Sequence, residues 1–216
     1  MVSRIKICYT LLDFDSDFRM TPVKLRGFLA HLFTNIPEFH HHSDHSYHYP
    51  LIQYKRIHHK LAVVGIDDYA DIIFQNISSL DHVTTETEKI PLSSIEIKCG
   101  SYQLKQVCKK YKFTSPWIAL NETNYATFKK LKNSEKRSFL EKILTGNILS
   151  MFKGLGIFVD YKIIITITKF KNITVTAHKN KFAGMYAEFE SNILLPNHIG
   201  LGKSVTKGFG VIGAIS

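Results

Sequence analysis

The stretch Tyr49–Ile77, YPLIQYKRIHHKLAVVGIDDYADIIFQNI, decides the fold. Pro50 opens a run of strand formers, "YPLIQYKRI". "HKLAVVGI" follows after a tight connection at His58 and His59, so the two runs predict a hairpin. "DDYADIIFQNI" then reads as a short helix, with acidic residues in its first turn where the helix dipole favours them. Upstream, Ile5, Ile7, Tyr9 and Leu11 fall on one side of "SRIKICYTLL", the alternation of a half-buried strand. Between that strand and the hairpin, "TPVKLRGFLAHLF" offers Thr21 as N-cap and Pro22 at the first helical position. Its apolar stripe is Val23, Leu25, Phe28, Leu29 and Leu32. Downstream, "LSSIEIKCGSYQL" is a further strand. The order β-α-β-β-α-β is that of a ferredoxin-like unit.

The pattern recurs in the second half. "SPWIAL" is a candidate strand and "NYATFKKL" a short helix or turn. "SEKRSFLEKILTGNILSMFKGLG" is a long helix, with Leu140, Leu144, Ile148, Met151 and Leu155 at helical spacing and Gly154 and Gly156 at its end. "YKIIITITKF" and "NITVTAHK" predict a hairpin turning at Lys171 and Asn172. "FAGMYAEFESNI" is a further strand, and a glycine-rich loop leads to a last one. The second helix of this unit is degraded. The expected class is therefore α+β, with tandem ferredoxin-like (RRM-like, βαββαβ) domains over residues 1–105 and 106–216. The joint, "QLKQVCKKYKF", lacks the Gly/Ser composition of a flexible linker and is expected to be rigid.

The formal net charge is +10, and it is unevenly placed. Residues 1–97 hold nine Lys/Arg against twelve Asp/Glu, and residues 98–216 nineteen against six. A basic half attracts polyanions, nucleic acid foremost. Its cations are almost all lysines, with Arg137 the exception, which suits phosphate attraction better than bidentate base reading. No run of about 18 apolar residues appears, so no membrane span is expected. The N-terminus reads as a strand of the mature protein and not as a signal peptide. Three cysteines, Cys8, Cys99 and Cys108, without a CxxC pair, argue against a disulfide framework or a zinc ribbon. They point to a reducing, cytoplasmic location.

Two segments carry candidate chemistry. "NHIGLGKSVTKGFG" ends like a Walker A loop at Gly202-Lys203-Ser204, but position 197 is Asn and the sequence beyond reads as a strand, so the motif fails. Its glycines can still expose backbone N–H groups beside Lys203 and Lys207, which would suit either a phosphate cradle or a tight turn. "PEFHHHSDHSYHYP" holds five of the eleven histidines. Imidazoles suit proton transfer near neutral pH. Zinc is the rival ligand, although no cysteine lies near and HExxH is absent, and a solvated polar loop is the plain alternative.

These segments resemble the CRISPR-associated endoribonucleases that cut precursor CRISPR RNA within its repeats. Gly200, Gly202, Gly208, Phe209 and Gly210 match the family's C-terminal glycine-rich loop. The histidine run before "YHYPLIQYK" looks like the family's b-type branch. The resemblance implies metal-independent cleavage without a cofactor, by attack of a 2′-hydroxyl on the adjacent phosphate. It places the catalytic histidine within His40-His41-His42 and a tyrosine at Tyr47 or Tyr49. The assignment adopted is His40 with Tyr47 as its partner and His42 as the second histidine. Gly200, Gly202, Lys203, Lys207, Gly208, Gly210 and Lys55 are the expected RNA contacts. CRISPR repeat RNA is the implied partner, with a second copy of the chain and other CRISPR effector subunits as candidates and no membrane. A non-catalytic repeat-RNA-binding protein of the same fold is the alternative.

Overall fold

β1 (Arg4–Phe14) runs through the middle of the first sheet, with β3 (Lys60–Ile66) on one side and β5 (Lys89–Gln103) on the other. The computed structural model describes residues 4–14, 20–40, 48–85, 88–177 and 180–215. They divide into two units, each taken by itself: the first runs up to Gln103 and includes Thr206–Gly208, and the second comprises Leu104–Val205 and Phe209–Ser216.

In the first unit, β2 (Ile52–Ile57) and β3 form the predicted hairpin. It turns on His58 and His59, whose φ of 47° and 68° gives the left-handed geometry of a two-residue connection. With the short β4 (His82–Thr84), the sheet order is β2-β3-β1-β5-β4. The first four strands in that order, all antiparallel, are the ferredoxin-like arrangement. β4 adds three residues to the edge, too few to register as an apolar pattern. α1 (Pro22–Leu32) and α2 (Asp68–Ile77) cover one face. Leu25 and Leu29 from α1, Ile73 and Ile77 from α2, and Leu12, Ile52, Tyr54 and Val63 from the strands make the core. Leu32, expected on the buried stripe of α1, is instead 46% exposed in its last turn. Gly65 is where α2 seats, since a Cβ there would lie 2.7 Å from the Ala70 Cα.

Cys8 and Cys99 face each other across β1 and β5, Cα atoms 4.1 Å apart, and are joined in a disulfide, contrary to the sequence expectation. Ninety-one residues separate them, and only strand register brings them together. Cys108 is the free thiol. Thiol titration of the unfolded, unreduced chain is expected to find one reactive cysteine, rising to three after reduction. Three thiols before reduction would refute the bridge.

The second unit starts on β6 (Lys109–Phe113), not on "SPWIAL". Pro116 lacks an N–H, and Trp117 makes only an isolated bridge to Met185. α3 (Glu122–Lys130) and α4 (Asn133–Gly154) follow. α4 buries Leu140, Leu144, Ile148 and Met151 as its spacing predicts, and Gly156 past its end has φ of +65°. The expected turn at Lys171 and Asn172 does not form. β7 (Ile165–Ala177) runs straight through, with Lys171 opposite Tyr186 and Asn172 opposite Met185 of β8 (Asn180–Ser191). The β-branched run on both sides prefers to stay extended, and β8 continues the pairing past Lys171 and Asn172. With β9 (Ile212–Ala214) the order is β7-β8-β6-β9, again ferredoxin-like. In place of its second helix stands the 192–211 segment, whose helical remnant is the single turn Val205–Lys207. No helix among the described residues is long and apolar enough to cross a membrane.

Candidate active site

α1 builds the frame of the site. The Lys24 N–H donates to Thr21 Oγ1 at 3.3 Å, and Pro22 enters the first turn with no N–H to satisfy. At the other end, the Phe33 N–H donates to the Leu29 carbonyl at 2.9 Å. The Phe33 ring meets Phe39 of the short turn Pro37–Phe39, with centroids 4.9 Å apart. Phe39 is fully buried, so it fixes the backbone one residue before His40. His40 is half-buried, and its N–H donates to the Pro37 carbonyl at 2.9 Å.

Among the described residues, one bond orients the ring of His40. Its Nε2 lies 3.3 Å from the Phe33 carbonyl oxygen. A carbonyl can only accept, so Nε2 carries the proton and Nδ1 holds the lone pair of the neutral ring. An imidazole held in one tautomer is a directed base, and once protonated at Nδ1 it is a directed acid. Arg26, one turn into α1, extends Nη2 to 3.5 Å from the His40 carbonyl. Among the described residues its Nε, which is buried, has no hydrogen-bond partner, and neither has the buried hydroxyl of Tyr54 on β2. Burial holds the Tyr54 phenol well above its ordinary range, while the Arg26 guanidinium acts in the opposite direction. Tyr54 is therefore a neutral O–H donor, and Arg26 a fixed cation within electrostatic reach of it.

Thr206–Gly208 also belong to this unit. Gly208 has φ of +87°, and a Cβ there would sit 2.9 Å from the Pro22 ring and 3.3 Å from the Tyr54 carbonyl oxygen. Only glycine allows this segment to lie so closely on α1 and β2, with Lys207 half-exposed beside it. His40, Lys207 and Gly208 thus belong to one unit, with His40 past the C-terminal end of α1 and Gly208 against Pro22 at its start. The other expected loop residues lie in the second unit. Gly200 and Gly210 are buried and shape the loop from inside, bridged through Gly200 to Val211 and by the Gly210 N–H to the Pro116 carbonyl at 2.9 Å. Gly202 lies on the Trp117 indole, where a Cβ would be 2.8 Å from the ring. Lys203 is exposed, and its N–H donates to the Ile118 carbonyl at 3.1 Å.

His42 and Tyr47 lie outside the described residues. Among the described residues, no group of three or more His, Cys, Asp or Glu could hold a metal ion. Lys55 is corrected as an RNA contact. It is fully buried, its Nζ has no hydrogen-bond partner among the described residues, and burial pushes its ammonium well below the ordinary lysine range. Both faces of β2 are covered around it, so its charge is not presented at a surface.

Residues 4–103 match the family model of the Cas6b N-terminal domain, and residues 103–215 that of the Cas6b C-terminal domain. The chain belongs to the Cas6b family. A crystal structure of Cas6b superposes with a TM-score of 0.87 at 25% identity, covering 99% of this chain and 100% of that one. A second, of the CRISPR RNA processing endoribonuclease Cas6b, gives 0.77 at 25% identity and the same coverage. Cas6 of Thermus thermophilus shares the fold, with a TM-score of 0.58 at 10% identity over 100% of this chain and 99% of that one. An uncharacterized protein of Methanocaldococcus jannaschii is 39% identical over 140 residues, 65% of this chain and 95% of its own.

Two residues around the site escape a reading of the sequence. Arg26 lies in a helix of ordinary amphipathic pattern, and Tyr54 in a strand where an inward tyrosine looks like core. Their significance comes from tertiary placement: an orphaned guanidinium N–H and an orphaned hydroxyl on the elements that hold His40 and Gly208.

Proposed function

We propose that this protein is an endoribonuclease that cleaves CRISPR repeat RNA without a metal ion, using the 2′-hydroxyl beside the scissile phosphate as nucleophile. One observation carries the reading: His40 follows a buried anchor and has its Nε2–H committed to the Phe33 carbonyl, leaving Nδ1 for proton transfer. The name of a solved Cas6b relative, a CRISPR RNA processing endoribonuclease, supports the same reading.

In this scheme a base takes the 2′-OH proton, and the 2′-oxygen bonds to phosphorus. The P–O5′ bond breaks, and an acid protonates the leaving 5′-oxygen. The products are a 2′,3′-cyclic phosphate, which water can open to a 3′-phosphate, and a 5′-hydroxyl. His40 supplies one of the two proton transfers, with His42 and Tyr47 as its proposed partners. Lys207 and the Arg26 guanidinium supply positive charge for the phosphate, and Lys203 is a proposed RNA contact of the second unit. Residues 1–105 are the proposed histidine-bearing domain and 106–216 the domain that contributes the glycine-rich loop.

The test is a repeat RNA with a single 2′-deoxy sugar at the cut site. It is expected to bind normally and resist cleavage, and EDTA is expected to leave cleavage of the all-ribose RNA unchanged. Cutting of the deoxy substrate, or loss of activity in EDTA, would overturn the mechanism. Binding of labelled repeat RNA with no new 5′-hydroxyl end would leave a binding protein in its place.

A further inference from the structure

The geometry points to a nucleotide-binding pocket in the second unit, built from residues of neither the glycine-rich loop nor the histidine site, that takes one splayed-out base of a single-stranded RNA segment. A cavity of about 620 Å³ opens between α3, the first turn of α4 and the β7–β8 hairpin. That is within the ordinary range for small-ligand sites, roughly 300–1,000 Å³. Its aromatic lining is left available. Tyr125 is 37% exposed and Phe182 42% exposed, whereas Phe128 between α3 and α4 is buried as core.

The charge is of one sign. Lys129 and Lys136 line the cavity and no acidic residue does. Lys129 Nζ sits 4.4 Å from the centroid of the Tyr125 ring, and Lys136 Nζ lies 5.4 Å from that of Phe128. Lys136 also donates to Asn133 Oδ1 at 3.2 Å, and neither lysine joins an ion pair among the described residues. Asn172 and Thr174 of β7 add an exposed amide and hydroxyl to the same wall.

This combination selects its occupant. An apolar ligand would have to desolvate two ammonium groups, and an acidic peptide would leave the exposed Phe182 ring unstacked. A nucleotide uses each part. Its base stacks on Tyr125 or Phe182, its edge meets Asn172 or Thr174, and its phosphate lies near the lysines. The base must be unpaired to enter, so the pocket reads single strand and not duplex. The proposal rests on the RNA-binding reading above and adds a second anchoring point on RNA beyond the cut.

The test pairs Tyr125→Ala and Phe182→Ala with two RNAs: repeat RNA carrying the 2′-deoxy block, and an unstructured oligouridine. Both side chains are exposed, so the variants are expected to keep the wild-type melting temperature. Each is expected to weaken RNA binding about five- to fiftyfold. The cleavage rate on all-ribose repeat RNA at saturating protein should stay unchanged, and Tyr125→Phe should restore affinity. Photocrosslinking of 4-thiouridine RNA is expected to label Tyr125 or Phe182. Wild-type affinity in both alanine variants with no crosslink there overturns the pocket while leaving cleavage intact. So does a change in sedimentation at unchanged RNA affinity, which would make the cavity a contact between copies. Tyr125-dependent oligouridine binding by a protein that cuts no repeat RNA would instead refute the nuclease reading and keep the pocket. A wild-type protein that binds no RNA refutes both.

Discussion

His40→Ala is expected to lower the single-turnover rate of repeat-RNA cleavage by about 10²- to 10⁴-fold, the usual worth of a positioned acid or base, with RNA affinity within about twofold of wild type. The split between rate and affinity follows from how the residue is held. Phe39 buries the preceding side chain, and the His40 N–H bonds the Pro37 carbonyl through the backbone, so the turn survives the truncation. Among the described residues the ring makes one hydrogen bond, to the Phe33 carbonyl, worth on the order of 1 kcal/mol. The melting temperature should therefore move little. Binding should also persist, because the positive charge that attracts phosphates is lysine-rich and lies mostly in residues 98–216. If affinity falls with the rate, His40 belongs to the docking surface and another group moves the proton.

The elements that local chemistry punctuates are legible in the sequence. Thr21 followed by Pro22 marks the start of α1, and glycines mark the end of α4. His40 enters as a candidate only through the resemblance of the histidine run before the Tyr-Pro strand entry to the b-type branch, and its bond to the Phe33 carbonyl has no local signal. Features that depend on register or on the far face of a sheet are not legible. Cys8 and Cys99 meet only because β1 and β5 align them, which spacing alone cannot reveal. Lys55 reads as a surface cation because lysine seldom lies within a strand buried on both faces, yet the burial along β2 is continuous from Ile52 to Lys55. In β7, two polar residues suggest a turn, but the β-branched run continues on both sides of them and Lys171-Asn172 stays paired with β8. Arg26 and Tyr54 fall in the same class, since nothing local distinguishes them from helix surface and strand core.

Gly210→Ala is expected to destabilise the protein by about 3 kcal/mol or more, a fall in melting temperature of about 6–12 °C for a chain of this size. Two costs add. Gly210 has φ of +66°, a conformation that costs an alanine on the order of 1 kcal/mol. The larger cost is steric. A Cβ at this position would stand 1.9 Å from the Leu201 carbonyl oxygen and 2.9 Å from its carbon. These are backbone atoms of a buried residue, so no side chain can swing aside. To open an ordinary contact the two strands of the loop must separate by more than about 1 Å. The Leu201 N–H bond to the Gly210 carbonyl, 2.9 Å long, lies directly across that gap and would be lost or stretched. The neighbouring bridge from Gly200 to Val211 would be disturbed with it. Gly146 provides the control. It lies inside α4, where an added methyl group would meet nothing within 4 Å, so Gly146→Ala should hold or raise stability by up to about 1 kcal/mol through helix propensity. Opposite responses of two Gly→Ala changes, read by thermal melts, would separate steric exclusion from a general intolerance of substitution. A Gly210→Ala protein melting within about 2 °C of wild type would refute the loop path in which Gly210 closes on Leu201. Cleavage measured well below the melting point then tells what the loop does beyond folding. If the glycine-rich segment positions Lys203 and Lys207 on the substrate, the folded variant should still bind RNA more weakly than wild type, because its displaced backbone carries both lysines with it.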